Sequence, residues 1–257
     1  MMTPMASGLL LRTGPRRFLV TAAHVLDSNS TGPGECSDLV TYGRGKGIVL
    51  RGESFRTAIV DGKTRNEDLL DIGFALLNAE SADQMGEDRF LSPADCDPNA
   101  TGRSPALYGA LGYPACLNED VGPDTQGTAN PKPFLYTSPL HPASAYRRMG
   151  VSPLTHLLLD VSRRKTRGPG GRKVKLPDLR GMSGGGLWRL GEYSPGPRIT
   201  APRLLGVVTE RRWGHGGGLL AARIGLVFEA LRKVYPDFDG LLPRTALASI
   251  TVEVVPA

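Results

Sequence analysis

Three short segments carry side chains that could act together as a nucleophilic catalytic site. His24 follows an apolar run that ends in Thr21-Ala22-Ala23, Asp71 opens the apolar run Ile72–Leu77, and Ser183 lies between glycines. A serine hydroxyl becomes an effective nucleophile when a histidine accepts its proton and a carboxylate orients that histidine. Taken singly, each residue has a plainer interpretation: a histidine satisfied in a turn, a solvated acid at a strand start, and a flexible glycine-rich loop.

The glycines around Ser183 predict a second part of the site. Residues 181–186 read Gly-Met-Ser-Gly-Gly-Gly and pass directly into the apolar pair Leu187-Trp188. Because glycine adopts backbone conformations that are closed to other residues, the amide N–H groups of Gly181 and Ser183 could converge on one point. Such a pair of donors forms an oxyanion hole, in which losing one donor typically costs about 10²–10³-fold in rate.

Short strands must position these residues. The chain has 257 residues, with 33 glycines and 21 prolines scattered without a period, a composition that favours many short strands joined by turns. One helix is predicted over residues 225–235, where apolar residues have helical spacing before Pro236. Residues 78–104 are interpreted as a crossover, and residues 246–255 as a final strand or ordered tail. The predicted strands cover residues 7–12, 17–22, 47–50, 55–60, 72–77, 106–113, 155–161, 186–190, 204–209 and 219–224.

Together the three segments resemble the chymotrypsin/trypsin-like serine peptidase superfamily, and its bacterial trypsin-like members in particular. Thr21–His24 is similar to the family's histidine motif, Asp71 with its strand resembles the aspartate motif, and Gly181–Gly185 resembles the nucleophile motif. Their chain order, His, Asp, Ser, is also the family's order. Gly112-Tyr113-Pro114 resembles the opening of the second barrel. The resemblance spans about residues 8–235.

The resemblance implies an all-β fold of two antiparallel Greek-key β-barrels with a C-terminal helix. Residues 1–104 would form the N-terminal barrel and the crossover, residues 105–235 the C-terminal barrel and the helix, and residues 236–257 a tail with a possible extra strand. The implied activity is that of a serine endopeptidase acting on polypeptides. Ser183 would be the nucleophile, His24 the general base and Asp71 its orienting acid, with no metal ion and no cofactor.

Further residues take roles from the same resemblance. The hydroxyl of Thr209 is expected to support Asp71, and the backbone of Glu210 and Arg211 to pair with the substrate by β-strand addition. Pro177 occupies about the position of the primary pocket floor, and Asp178 beside it would favour substrates with Arg or Lys.

The chain also departs from the digestive members of the family. Those enzymes carry an acid directly before the serine, and it receives a new N-terminus after zymogen cleavage. Here that position is Met182, and the expected Ile/Val-Gly-Gly start is missing. The chain more nearly resembles intracellular and quality-control bacterial relatives, and that resemblance implies an oxyanion loop that is arranged by other contacts.

Two other function classes stay open. An α/β-hydrolase is considered because Gly181–Gly185 matches Gly-x-Ser-x-Gly and His215 follows the serine, but that fold needs alternating strands and helices. A non-catalytic module that binds peptide or RNA on a protease fold is the alternative from a different class. Asp68 competes with Asp71 as the acid and is expected to be exposed. His141 and His156 are interpreted as surface or structural histidines.

Charge and cysteine content limit which partners and which cellular compartment the sequence predicts. The net charge is +6, and seven basic residues fall between Arg163 and Lys175 with no acid among them, which we interpret as a solvated loop that is mobile in the free enzyme. No aromatic residue interleaves that run, so nucleic-acid binding is not favoured. Three widely spaced cysteines fit neither a disulfide framework nor a zinc site. With no apolar run of membrane length and no secretory signal, we expect a cytoplasmic protein without membrane contact; a partner protein remains possible.

Overall fold

The structure is a computed structural model, and antiparallel strands make up most of its regular structure. It describes residues 6–28, 40–43, 46–59, 63–100, 106–119, 130–161, 166, 172–192, 198–212 and 217–257. Most of the basic run between Arg163 and Lys175 falls outside the described residues, as do Cys36 and His215. Within the described ranges, no helix is long and apolar enough to cross a membrane.

The first sheet carries two of the candidate site residues. It has five strands in the spatial order β1-β2-β6-β5-β13, and every pair is antiparallel. The turn between β1 and β2 is Gly14-Pro15, with Gly14 at φ 57°, a conformation that favours glycine. β3 and β4 form a separate two-stranded sheet. The strands are β1 (Leu9–Thr13), β2 (Arg16–Ala22), β3 (Val40–Gly43), β4 (Lys46–Val49), β5 (Gly52–Thr57), β6 (Ile72–Leu77) and β13 (Val254–Pro256).

Ser183 lies just before one of the inner strands of the second sheet. This sheet has six antiparallel strands in the order β8-β7-β10-β11-β12-β9, and Ser183 lies three residues before β10 begins. β11 is long enough to pair with β10 in its first part and with β12 in its second. The strands are β7 (Ala106–Gly112), β8 (Phe134–Ser138), β9 (His156–Asp160), β10 (Gly186–Glu192), β11 (Arg198–Arg212) and β12 (Gly218–Arg223).

One apolar cluster joins the two sheets. Phe18 and Phe74 from the first sheet, Val207 from the second, and the inner face of the last helix all belong to it. The two phenylalanine rings meet edge to face with centroids 6.2 Å apart, a preferred aromatic geometry. Phe228, in the middle of the last helix, is fully buried in the same cluster. The helices are α1 (Ala23–Asp27), α2 (Ala79–Met85), α3 (Ala143–Arg148) and α4 (Ile224–Val234).

The predicted strands are present with shifted ends, and the late helix is confirmed as α4. Residues 78–104, interpreted as a crossover, contain the helix α2, which the sequence analysis did not predict. Asn78 caps that helix by accepting a hydrogen bond from the Ser81 N–H. Asparagine at this position favours a helix start, but the polar composition of the segment did not suggest a helix. Residues 246–255 form little regular structure until β13, which pairs with β5.

We expect Phe228→Ala to destabilise the protein by about 3–5 kcal/mol, because it opens a cavity in the cluster that joins the two sheets. Lys233→Ala is the matched control, since Lys233 is exposed on the same helix and surface substitutions usually stay within about 0.5 kcal/mol. Urea unfolding measures both. Equal losses would contradict the role of α4 as the apolar link.

Candidate active site

The pairing of β2 with β6 brings His24 and Asp71 together. Ala22 lies opposite Ile72 in this pair, so the residues that follow β2 meet the residue that precedes β6. The antiparallel pairing extends one residue beyond the strands, because the Ala23 N–H donates to the Asp71 carbonyl at 3.0 Å. The register of two strands thus fixes the contact between residues 47 positions apart in the chain.

The Asp71 carboxylate makes two hydrogen bonds to His24. Oδ1 accepts from the backbone N–H of His24 at 2.9 Å, and Oδ2 lies 2.7 Å from the imidazole Nδ1. The Asp71 side chain is only 10% exposed whereas that of His24 is 40% exposed, so the acid is covered while the imidazole reaches solvent. With Nδ1–H donating to Asp71, Nε2 is left to accept a proton.

Two local features permit this contact. Asp71 adopts φ 44°, which makes it the one non-glycine residue with a positive φ among the described residues; aspartate tolerates this region better than most side chains. Gly73 lies under α1, where an added Cβ would stand 2.7 Å from Leu26 Cδ1 and 3.1 Å from the Ala23 Cα. A larger residue at 73 would therefore push away the short helix that carries His24.

The nucleophile loop, residues 179–185, depends on glycines at two positions. Gly181 and Gly184 have φ values of 93° and 86°. A Cβ on Gly184 would lie 1.9 Å from the Ser7 carbonyl oxygen, and one on Gly181 would lie 2.7 Å from that of Tyr113. Glycine is required at both for conformation and for space.

The amide donors predicted for the oxyanion site are available. Among the described residues, the N–H groups of Gly181 and Ser183 have no hydrogen-bond partner, whereas the N–H of Met182 between them donates to the Leu179 carbonyl at 3.0 Å. The Arg180 carbonyl accepts from the Ala115 N–H at 2.8 Å. Since the C=O and N–H of a trans peptide point in opposite directions, this bond turns the Gly181 N–H away from Ala115.

A cavity of about 530 Å³ collects these groups. His24, Asp71, Gly181 and Ser183 all line it, and its volume is within the range of about 300–1,000 Å³ typical of ligand sites. The three residues of the predicted triad thus face one open space, and each reaches it from a different segment of the chain.

The Ser183 hydroxyl is directed toward the β11 backbone. Ser183 Oγ donates to the Thr209 carbonyl at 3.2 Å, and no hydrogen bond joins it to His24 among the described residues. The expected role of Thr209 therefore needs a correction, because its hydroxyl donates to the Leu220 carbonyl at 3.4 Å instead of to Asp71. The register between β11 and β12 shifts at Thr209, so its carbonyl, rather than its side chain, serves the site.

The predicted pocket residues divide between the cavity and its surroundings. Asp178 and Glu210 line the cavity, whereas Pro177 does not. Asp178 is exposed and its carboxylate lies 3.9 Å from the Arg180 guanidinium, so it is no buried charge at a pocket floor. The Arg211 side chain lies outside the described residues, although its backbone belongs to β11. The apolar residues that line the cavity include Leu179, Val208 and Leu219, all buried.

The sequence analysis did not predict an ion-pair cluster near His24. The Arg65 guanidinium bridges Asp27, at the end of α1, and Asp68, at 2.7 and 2.6 Å. Asp68 was expected to be exposed, but its side chain is 8% exposed and also accepts from the Thr57 hydroxyl at 2.6 Å. It holds the segment before Asp71 and does not contact His24. Its position before an apolar run did not indicate that Arg65 and Thr57 would contact it.

Two of the other histidines have structural roles. His156, fully buried on β9, places Nε2 2.5 Å from the Leu69 carbonyl, which ties the second sheet to the segment just before Asp71. His141 Nε2 lies 3.3 Å from the Gly217 carbonyl and 3.6 Å from Asp160. Neither residue lines the cavity, in agreement with their interpretation as non-catalytic.

In comparisons with known proteins, no family model and no curated protein matches this chain. Its function is therefore inferred from the geometry of the cavity and from the motifs around it.

The pKa of His24 is raised above its ordinary value of 6.5, chiefly because its side chain hydrogen bonds to Asp71. Burial of the ring lowers the pKa, while the negative charges of Asp71 and Asp27 raise it and the charge of Arg65 lowers it. The ion pair therefore stabilises the folded state below pH 6.5, and this contribution is lost as the pH rises through the folded-state pKa. His24 becomes a neutral base only above that pKa.

We expect Asp71→Asn to lower the pKa of His24, because the substitution removes both the charged acceptor and its negative charge. An NMR titration of the His24 ring protons in wild type and variant measures the change. Asp68→Asn is the control: Asp68 makes no contact with His24, so its effect should be smaller. Equal pKa values in wild type and Asp71→Asn would contradict the assigned contact.

Proposed function

We propose that the protein is a serine endopeptidase of the trypsin-like class that works through an acyl-enzyme. The observation that supports the proposal most is the cavity shared by Ser183, by two unpartnered amide donors, and by an imidazole whose Nδ1 faces a covered carboxylate. Each role of the family's triad has a residue of the right type there, and the motifs around these residues resemble those of the family.

In the proposed reaction, Ser183 Oγ attacks the peptide carbonyl carbon while His24 Nε2 takes the hydroxyl proton. Rotation about the Ser183 Cα–Cβ bond carries Oγ from the Thr209 carbonyl toward the imidazole, and catalytic hydrogen bonds are often long or misaligned without substrate. Asp71 keeps the proton on Nδ1 and stabilises the imidazolium that forms. His24 then donates the proton to the leaving amine, and water, activated by His24, hydrolyses the ester.

The amide groups of Gly181 and Ser183 would bind the oxygen of the tetrahedral intermediate. Preorganised donors directed at developing charge lower the barrier of such reactions more than most other single effects do. The substrate backbone is proposed to run beside β11 at Glu210 and Arg211 by β-strand addition, since Glu210 lines the same cavity as Ser183.

The finer architecture and the environment belong to the same proposal. We infer that each antiparallel sheet is part of a Greek-key β-barrel, with the site in the cleft between the barrels. The two described cysteines, Cys96 and Cys116, are free thiols, which supports a reducing compartment such as the cytoplasm.

Two alternative functions require different structural features from those of the proposed peptidase. An α/β-hydrolase needs a parallel sheet with alternating helices, whereas all strand pairs within the described sheets are antiparallel. A non-catalytic binding module on the same fold needs no functional Ser183. A test of covalent chemistry at that residue separates it from the peptidase.

We expect wild-type protein to react covalently with a fluorophosphonate probe and Ser183→Ala to give no labelling and no peptide cleavage, because the hydroxyl is the nucleophile. Gel fluorescence and peptide mapping by mass spectrometry measure the modification. His24→Ala should lose a similar amount of activity, since triad members act as a unit. Thermal unfolding controls for folding, and equal peptide hydrolysis by wild type and Ser183→Ala would exclude the assigned nucleophile.

We expect substrates with Leu or Val before the scissile bond to be cleaved at least about 10-fold faster, in kcat/KM, than those with Arg, because the buried residues Leu179, Val208 and Leu219 line the cavity and a mispaired buried charge costs more than an apolar mismatch. Asp178→Asn should leave this ratio unchanged. Peptide libraries read by mass spectrometry measure it, and a preference for Arg that disappears in Asp178→Asn would show that Asp178 sets the specificity after all.

A further inference from the structure

The residue directly before Ser183 provides no charged anchor for the nucleophile loop. Met182, directly before Ser183, is 1% exposed and packs in the apolar cluster of the second sheet, so no ion pair at that position can hold the loop. The loop is held instead through its outward carbonyl groups. That of Arg180 accepts from Ala115, and those of Gly181 and Ser183 both accept from Ser7.

Ser7 binds the loop with its backbone and with its side chain. The Ser7 N–H donates to the Ser183 carbonyl at 2.8 Å, and the Ser7 hydroxyl donates to the Gly181 carbonyl at 2.6 Å. These two carbonyl groups belong to the residues whose N–H groups are the candidate oxyanion donors. One residue therefore contacts both ends of the Gly181-Met182-Ser183 segment.

Ser7 is itself fixed by both halves of the protein. Its carbonyl accepts from the Thr21 hydroxyl at 2.8 Å, and its Oγ accepts from the Tyr113 N–H at 2.9 Å. Thr21 lies on β2, three residues before His24, and Tyr113 follows β7 of the second sheet. Ser7 is 7% exposed, so these bonds are shielded from competing water.

The hydroxyl is the part of this arrangement that a substitution can remove. Gly181 has the backbone freedom of glycine, and without Ser7 Oγ its carbonyl would be a buried acceptor lacking that donor, which is energetically unfavourable. Rotation of the Gly181–Met182 peptide would relieve that cost. The rotation would also disturb the neighbouring peptides that direct the two N–H groups into the cavity.

We propose that Ser7 is a positioning residue whose hydroxyl, by holding the Gly181 carbonyl, keeps the oxyanion donors of Gly181 and Ser183 aligned. This inference rests on the proposed peptidase function. Ser7 touches neither substrate nor the reacting atoms; it acts through the loop. It takes the place that a charged contact at residue 182 would otherwise fill.

The test measures kcat and KM separately for wild type, Ser7→Ala and Ser7→Cys on one fluorogenic peptide amide that the wild type cleaves. We expect kcat of Ser7→Ala to fall by about 10²-fold, the size of losing one oxyanion donor, with KM within about threefold. Ser7→Cys should fall in between, because a thiol is a weaker donor of similar shape. Affinity for a peptide aldehyde, whose adduct occupies the oxyanion site, should decrease in parallel with kcat.

Ser54→Ala is the matched control. Ser54 is another fully buried serine, on β5, and its Oγ has no hydrogen-bond partner among the described residues. Its loss should leave kcat unchanged. Thermal unfolding of each variant separates loop alignment from loss of fold, and if Ser7→Ala does not fold, Ser7→Cys decides.

The outcomes distinguish this inference from the proposed function. An active wild type with unchanged kcat in Ser7→Ala or, where only it folds, Ser7→Cys overturns the role of Ser7 alone. A rise in KM at constant kcat overturns it as well, because that pattern means lost substrate binding. Fluorophosphonate labelling that persists in Ser183→Ala overturns the peptidase assignment itself.

Discussion

A carboxylate removed from water must be hydrogen bonded, and much of the site follows from meeting that requirement at Asp71. The N–H and the imidazole of His24 supply two bonds to it, which orient the ring and place its second nitrogen in the cavity. The requirement is met only because β2 and β6 pair in one register and because Gly73 leaves room for α1. Further from Asp71, the contact between the His156 imidazole and the Leu69 carbonyl connects the segment before Asp71 to the second sheet. A strained backbone at Asp71 persists because its surroundings determine it so fully.

The two sheets contribute differently to the molecule. Their apolar faces share one cluster with α4, and burial of side chains such as Phe228, about 1.5–3 kcal/mol each, dominates the stability of the junction. The polar contacts across that junction, those of Ser7 and His156 among them, add less to stability and more to geometry. Packing holds the two sheets together, and a few buried hydrogen bonds fix the relative positions of the segments that carry His24, Asp71 and Ser183.

The function classes considered for this chain differ in what they require of the cavity. A binding module requires only shape and polarity. An acyl-transfer enzyme requires a nucleophile, an oriented base and donors for a developing oxyanion, and residues suited to each line one cavity of about 530 Å³. The buried Leu179 and Leu219 line that cavity together with the exposed Asp178, whose carboxylate lies 3.9 Å from the Arg180 guanidinium. An exposed ion pair of this kind is screened by solvent.

The sequence by itself determined the elements with strong local signals. Alternating or continuous apolar runs predicted most of the strands, although not β3 or β8; helical spacing before Pro236 predicted α4, and the glycines around Ser183 identified a loop with unusual backbone geometry. Their types also identified His24, Asp71 and Ser183 as candidates. Only the tertiary structure decided which distant groups meet: that the Thr209 carbonyl rather than its hydroxyl contacts Ser183, that Arg65 pairs with Asp27, and that Ser7, 174 residues from Gly181, holds the nucleophile loop. Hydrogen bonds between remote segments depend on strand register and bulges. A serine in an N-terminal segment looks the same in sequence whether its hydroxyl faces water or a buried carbonyl, so local patterns cannot reveal such partners.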